Sequence, residues 1–205
     1  GHLPESLSRV FDDVGVSMSE QDAERFRAIL GEYRWLLHEA ERKVHWAPEE
    51  ALELVNRAAS QIPEDAPVAR RVDLHRIEGL VRVALGRRSE AVAAFGRALA
   101  LADTLPEPRL RDDQRLSVAK SQISAGLCSE SLALRRDLRR NYQGYRLGVD
   151  WLTFQFSDAF CELNQSAQTA SDESFREAAA AFEKLAPFWN DLGLELFSIM
   201  GASLL

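Results

Sequence analysis

The chain has 205 residues, 46% of them hydrophobic and 28% charged, with a formal net charge of −7. That is enough apolar material for one substantial core or one short repeat array, and the acidic balance argues against general attraction to nucleic acid or to an anionic membrane. No apolar run approaches the ~20 residues that span a bilayer. Cys128 and Cys161 are two cysteines without zinc-ligand spacing, which reads as reduced, buried thiols in a cytoplasmic protein. No signal peptide is visible, and Gly1-His2 reads as the scar of tag removal.

Residues 4–14 predict a short amphipathic capping helix, with Leu7, Val10, Phe11 and Val14 on one side and Gly15 as its stop. Residues 19–46 predict one long helix whose stripe is Phe26, Ile29, Leu30, Tyr33, Leu36, Leu37, Ala40 and Val44. Pro48 then stands where a helix starts, and Pro63 stops the helix that follows. Between 72 and 105, two helical patterns meet at Leu85-Gly86-Arg87-Arg88-Ser89. Leu74, Ile77 and Val81 mark one apolar face, and Val92, Phe95 and Leu99 mark the other. Gly86 suits the end of the first helix, and Ser89 is a cap candidate for the second, with Glu90 in its first turn.

The tetrapeptides Glu49-Glu50-Ala51-Leu52, Ser89-Glu90-Ala91-Val92 and Ser129-Glu130-Ser131-Leu132 fall in register at a spacing of 40 residues, the mark of a repeat array. The third unit is the atypical one, because Arg135 stands where the second unit has Phe95, and Lys120 where it has Leu80. Beyond 141 the register is expected to slip. Residues 149–169 predict a helix rich in aromatics (Trp151, Phe154, Phe156 and Phe160), although 152–156 alternate like a strand. A further helix around Phe175–Leu185 and a last one ending at Leu205 complete the chain.

Gly79, Gly86, Ala91, Phe95 and Ala98 hold the small-large-small places of a tetratricopeptide repeat, and the chain resembles that family in its long variant, found in bacterial signal-transduction proteins. The resemblance implies an all-α fold in which antiparallel helix pairs, about four of them, stack as a right-handed solenoid. Its units would run over about 19–63, 67–105, 109–144 and 148–189, followed by a final helix, all within one domain at 19–205 behind a capping segment at 1–18.

That family binds partners, so the resemblance implies a module without catalytic activity that receives a peptide or protein in a groove lined by its first helices. The matching positions are Tyr33, Leu36, Ala40 and Lys43, then Asp73, Arg76, Leu80 and Val83, then Asp113, Leu116 and Lys120. Arg76, Lys43 and Lys120 would select carboxylates, and Tyr33, Leu36 and Leu80 would supply apolar contact. Arg135, Arg136, Arg139 and Arg140, spaced for one helix face, form a second basic patch suited to an acidic partner or to a helix C-terminus. The alternative is a regulatory or sensory segment of a larger bacterial signalling or transcription-regulating protein, with the aromatic helix as a homodimer surface. The carboxyl end, a helix without a polar cap, favours that alternative.

No phosphate loop, nucleophile motif or metal spacing is present, and no cofactor is implied. His38 and His45 flank Glu41 at seven residues, wider than the usual helical metal pair. Acidic pairs at Glu49/Glu50, Asp112/Asp113 and Asp172/Glu173 read as helix-start residues favoured by the helix dipole.

Overall fold

The computed structural model describes residues 31–144 and, from 150 to 162, all but Leu152, Phe156 and Phe160. The helices expected within 1–30 and after 162 lie outside the described residues. What is described is all-helical: α1 Glu32–Lys43, α2 Pro48–Gln61, α3 Val68–Ala84, α4 Arg88–Asp103, α5 Pro108–Ser124 and α6 Leu132–Asn141, followed by helical residues within 150–162. Among the described residues no strand occurs and no helix is long and apolar enough to cross a membrane. By packing, the chain divides into two compact units, Gly1–Ala94 and Phe95–Leu205, so the division falls inside α4.

In the first unit, α1 does not continue unbroken from residue 19 as expected. It starts at Glu32 because Gly31 takes φ 81°, a left-handed conformation that no helix accommodates. Pro48 opens α2 with Glu49 and Glu50 in its first turn, where proline lacks nothing a helix needs and acids meet the positive end of the dipole. A four-residue connection between α1 and α2 turns the chain back on itself. The two helices and α3 then share one core of Leu36, Leu37, Ala40, Val44, Ala51, Val55, Ala58, Leu74, Ile77 and Val81. Burying each larger aliphatic side chain there contributes about 1.5–3 kcal/mol.

Ser89 is not a cap: α4 begins at Arg88, so Ser89 lies inside its first turn. The turn before it is built by the backbone. Gly86 has φ 72°, its N–H donates to Val83 O at 2.8 Å, and the Arg87 N–H donates to Arg82 O at 2.8 Å. These two bonds close a helix end with a left-handed glycine, satisfying carbonyls that would otherwise face no donor. In the second unit Gly126 has φ 71°, its N–H donates to Ile123 O at 2.9 Å, and the Leu127 N–H donates to Gln122 O at 2.8 Å. Every donor and acceptor is displaced by 40 residues.

The second unit carries a core of Leu116, Ala119, Ile123, Leu134, Leu138, Tyr142, Trp151, Phe154 and Cys161, with Leu99 and Cys128 packed against it. Tyr142 stacks on Trp151 at 4.5 Å with 5° between the rings, and Trp151 meets Phe154 at 5.3 Å. Strand-like alternation at 152–156 is overruled by this packing, since residues 153–155 are helical. Asp112 and Asp113 are not in a first turn, because α5 begins at Pro108.

α6 starts at Leu132, four residues later in register than α4. The Cys128 carbonyl explains the delay. Instead of bonding the Leu132 N–H, it accepts from Ser131 Oγ at 3.2 Å and from Arg135 Nη2 at 3.1 Å. The Leu132 N–H goes to Ser129 O at 3.3 Å.

Burial repeats at the same step. Ala51, Ala91 and Ser131 are each 0% exposed; Val55, Phe95 and Arg135 are 2%, 0% and 0%; Ala58, Ala98 and Leu138 are 0%, 0% and 1%. The first helices agree: Gly79, Ala119 and Ala159 are buried, as are Val81, Ser121 and Cys161. The expected slip beyond residue 141 is therefore absent from the described residues, and the helix within 150–162 keeps the register.

Candidate functional site

Of the eight groove positions expected in the first unit, two are core residues. Leu36 and Ala40 are 2% and 0% exposed within the shared core, so neither can meet a partner. Tyr33 and Leu80 are half-buried and pack against that core, and Lys43, Asp73, Arg76 and Val83 are also half-buried. The cations are engaged within the chain. Arg76 Nη1 donates to Glu41 Oε1 at 2.8 Å, tying α3 to α1, and its Nε lies 3.8 Å from Asp73 Oδ1. Lys43 Nζ donates to Glu50 Oε2 at 2.5 Å and lies 4.8 Å from the Trp46 ring. Arg76 is thus a strut between helices before it is anything else, and Glu41, the carboxylate between His38 and His45, is its partner. Trp46 is 66% exposed, and its Nε1 donates to Arg42 O at 3.0 Å.

In the second unit Leu116 is 2% exposed and belongs to the core, so it too leaves the contact set. Asp113 accepts from the Tyr142 hydroxyl at 2.6 Å, while buried Asp112 accepts from the Gln143 N–H at 2.9 Å. Burial, reinforced by the hydrogen bond to Asp113, raises the Tyr142 hydroxyl above its ordinary pKa. Lys120 Nζ donates to Asp150 Oδ1 at 2.5 Å.

The basic patch divides. Arg136 and Arg140 are exposed, but Arg135 is 0% exposed and does not belong to a surface. Its Nη1 donates to the Asp158 carboxylate and also lies 3.3 Å from Asp158 O and 3.4 Å from Glu162 Oε1. Arg139 lies at the edge of the same cluster, with Nε 3.1 Å from Asp158 Oδ2 and Nη2 3.1 Å from Glu162 Oε1. Burial pushes the Asp158 carboxyl up, against the pull of Arg139 and Arg135. Desolvation of the pair is therefore only partly compensated, and the Nε of Arg135 has no hydrogen-bond partner. Such a cluster specifies which helix packs here more than it stabilises the packing.

A disulfide joins Cys128 to Cys161 across the same junction, with Cα atoms 5.5 Å apart. The expectation of reduced thiols is overturned: the helix within 150–162 brings Cys161 to the turn before α6. Linear spacing could not show this pairing. An arginine at a position equivalent to Phe95 was a legible signal that a carboxylate had to arrive from elsewhere.

Trp151 and Phe154 are 3% and 0% exposed, so they are core residues and do not form a dimer surface; the side chains of Phe156 and Phe160 lie outside the described residues. His75 Nδ1 lies 3.2 Å from Glu78 Oε2. Among the described residues no group of three or more His, Cys, Asp or Glu is placed to hold a metal. No family model, curated protein or solved structure matches the chain.

Proposed function

We propose that this chain is a tetratricopeptide-like helical repeat, with helix pairs stacked as a right-handed solenoid, and that it acts as a binding module for a peptide or partner protein without catalysing a reaction. One observation carries the reading. The same buried positions recur every 40 residues from α2 through the helix within 150–162, and the glycine turn at Gly86 is repeated at Gly126. A repeat of this kind stacks units that cannot bury their apolar faces singly, and it presents a row of equivalent helix faces to a ligand. The contact set in the first unit is Tyr33, Lys43, Asp73, Leu80 and Val83, all half-buried on the first helices of their pairs. Lys43, paired with the exposed Glu50 within the chain, can exchange that carboxylate for one on an acidic peptide.

Selection of peptides from a random display library on the full-length chain tests the reading, with Lys43→Glu/Val83→Glu as the control. Both positions lie outside the buried core, so the control is expected to keep its helical circular dichroism. Peptides bearing acidic and apolar anchors, lost with the control, support a groove on this face. Enrichment unchanged by the control, or no enrichment, overturns it.

A further inference from the structure

Cys128, a half-buried residue, and Cys161, a fully buried one, are joined by one bond with two unequal ends. Cys128 lies in the turn before α6 and packs against the edge of the core, whereas Cys161 is a member of that core together with Leu116 and Trp151. A third side chain spans the same junction: Arg135 holds the Cys128 carbonyl with Nη2 and the Asp158 carboxylate with Nη1. The helix within 150–162 is thus tied to the turn before α6 by a covalent bond and to α6 itself by a buried ion pair. Only the covalent attachment can be opened from outside without removing a charge from its partner.

We propose that Cys128 is a thiol-exchange site for a dithiol reductant, and that the Cys128–Cys161 bond is a reversible latch on the helix within 150–162. The chemistry is directional. A reductant thiolate attacks Cys128 Sγ, the Cys128–Cys161 bond breaks, and Cys161 leaves as a thiolate that takes up a proton. The second thiol of the reductant then attacks the mixed disulfide, the reductant departs oxidised to its own disulfide, and Cys128 is released as a thiol. Two electrons and two protons pass from reductant to protein. Attack at Cys161 is blocked because that sulfur is enclosed by the core. Once the latch is open, Arg135 still holds Asp158, so the helix loosens without departing. This inference stands on the second unit alone and is independent of what the first helices bind.

The test uses the oxidised full-length chain in native buffer without denaturant. It is exposed to dithiothreitol or to glutathione, then acid-quenched and mapped by mass spectrometry. Expected are a glutathione adduct on Cys128 and not on Cys161, release of both thiols by dithiothreitol, and amide exchange within 150–162 that is about tenfold faster after reduction, while α5 stays protected. Single Cys128→Ser and Cys161→Ser chains give the second reading. Cys128 remaining in Cys161→Ser is expected to react with an aromatic disulfide at least about tenfold faster than Cys161 remaining in Cys128→Ser. Adducts on Cys161, reduction only in denaturant, or unchanged exchange within 150–162 overturns the proposal. Because the wild-type measurements need no variant, a serine chain that fails to fold leaves the decision to them.

Discussion

Phe95 and Arg135 occupy one place in two successive 40-residue repeats and are equally buried, yet one is an aromatic hydrocarbon and the other a full charge. The turns that precede them are the same turn, down to three hydrogen bonds displaced by 40 residues. What differs is the next helix. Forty residues before Asp158, the partner of Arg135, stands Val118, which is 0% exposed. Two places that are apolar in one repeat, Phe95 and Val118, are an ion pair in the next. Backbone turns and small residues therefore set the repeat, while the identity of the large buried side chain is negotiable if the following helix answers it. Apolar places accept many helices, whereas a buried guanidinium accepts only one carrying a carboxylate at the right position.

Moving the charge is the strongest way to break this comparison. Phe95→Arg buries a guanidinium in a repeat whose place equivalent to Asp158 holds Val118 and not a carboxylate, and is expected to cost about 3–5 kcal/mol, read as lost urea resistance. Next comes the covalent staple. Cys161→Ser opens a loop of sequence separation 33, and the loop-closure relation assigns it about 3–4 kcal/mol, with the loss concentrated in amide protection of the second unit.

The two turns should respond alike. Gly86→Ala and Gly126→Ala each force a side chain into a left-handed conformation, at φ 72° and 71°, and each is expected to cost about 1–2 kcal/mol in thermal unfolding. Gly96→Ala is the control. Gly96 is exposed within α4, and a Cβ there meets nothing within 4 Å, so that change is expected to stabilise by about 0.5–1 kcal/mol. Unequal costs at Gly86 and Gly126 would separate turns that the hydrogen bonds make equivalent.

The smallest effect is the pH dependence, and its sign differs between two aspartates of the second unit. The Asn141 side chain, with Arg115 assisting, holds Asp137 below its ordinary value of 3.8. Its stabilisation is therefore complete above 3.8 and is lost as pH falls through the depressed folded value. Burial raises Asp158 above 3.8, so the folded chain keeps that proton longer, and this group's contribution falls as pH rises from 3.8 through the raised value. Asp137→Asn is expected to weaken acid destabilisation, and Asp158→Asn to remove the opposing slope, both read from urea midpoints between about pH 3 and pH 6.

Much of the fold was legible. Pro48 and Pro63 bound α2, Gly86 ends a helix, and the 40-residue register predicted which small residues would be buried. The break at Gly31 is not legible because the apolar periodicity runs straight through the glycine, and periodicity carries no information about its positive φ. The candidate contact residues are legible only in part. A helix stripe does not say which of Leu36, Ala40 or Leu116 faces a neighbouring helix and which faces a ligand, and all three face the core. Sequence alone gives Arg76 and Arg135 the look of surface charges, because their partners, Glu41 and Asp158, lie 35 and 23 residues away. The register beyond 141 was obscured by aromatics, although Gly79, Ala119 and Ala159 keep the small-residue place.

A double-mutant cycle on Arg135 and Asp158 tests most directly whether a charge pair has replaced an apolar pair in the repeat. Asp158→Leu alone leaves the buried guanidinium with Glu162 as its remaining carboxylate, and Arg135→Leu alone leaves the buried Asp158 carboxylate with Arg139 as its remaining cation; each is expected to cost up to about 3 kcal/mol in urea-induced unfolding, the low end for a broken buried pair. The double variant restores the apolar filling found at Phe95 and Val118, and is expected to unfold at a urea concentration equal to or above that of the wild-type chain. Two single losses that simply add in the double variant would contradict the account, because the two places would then not be answering each other.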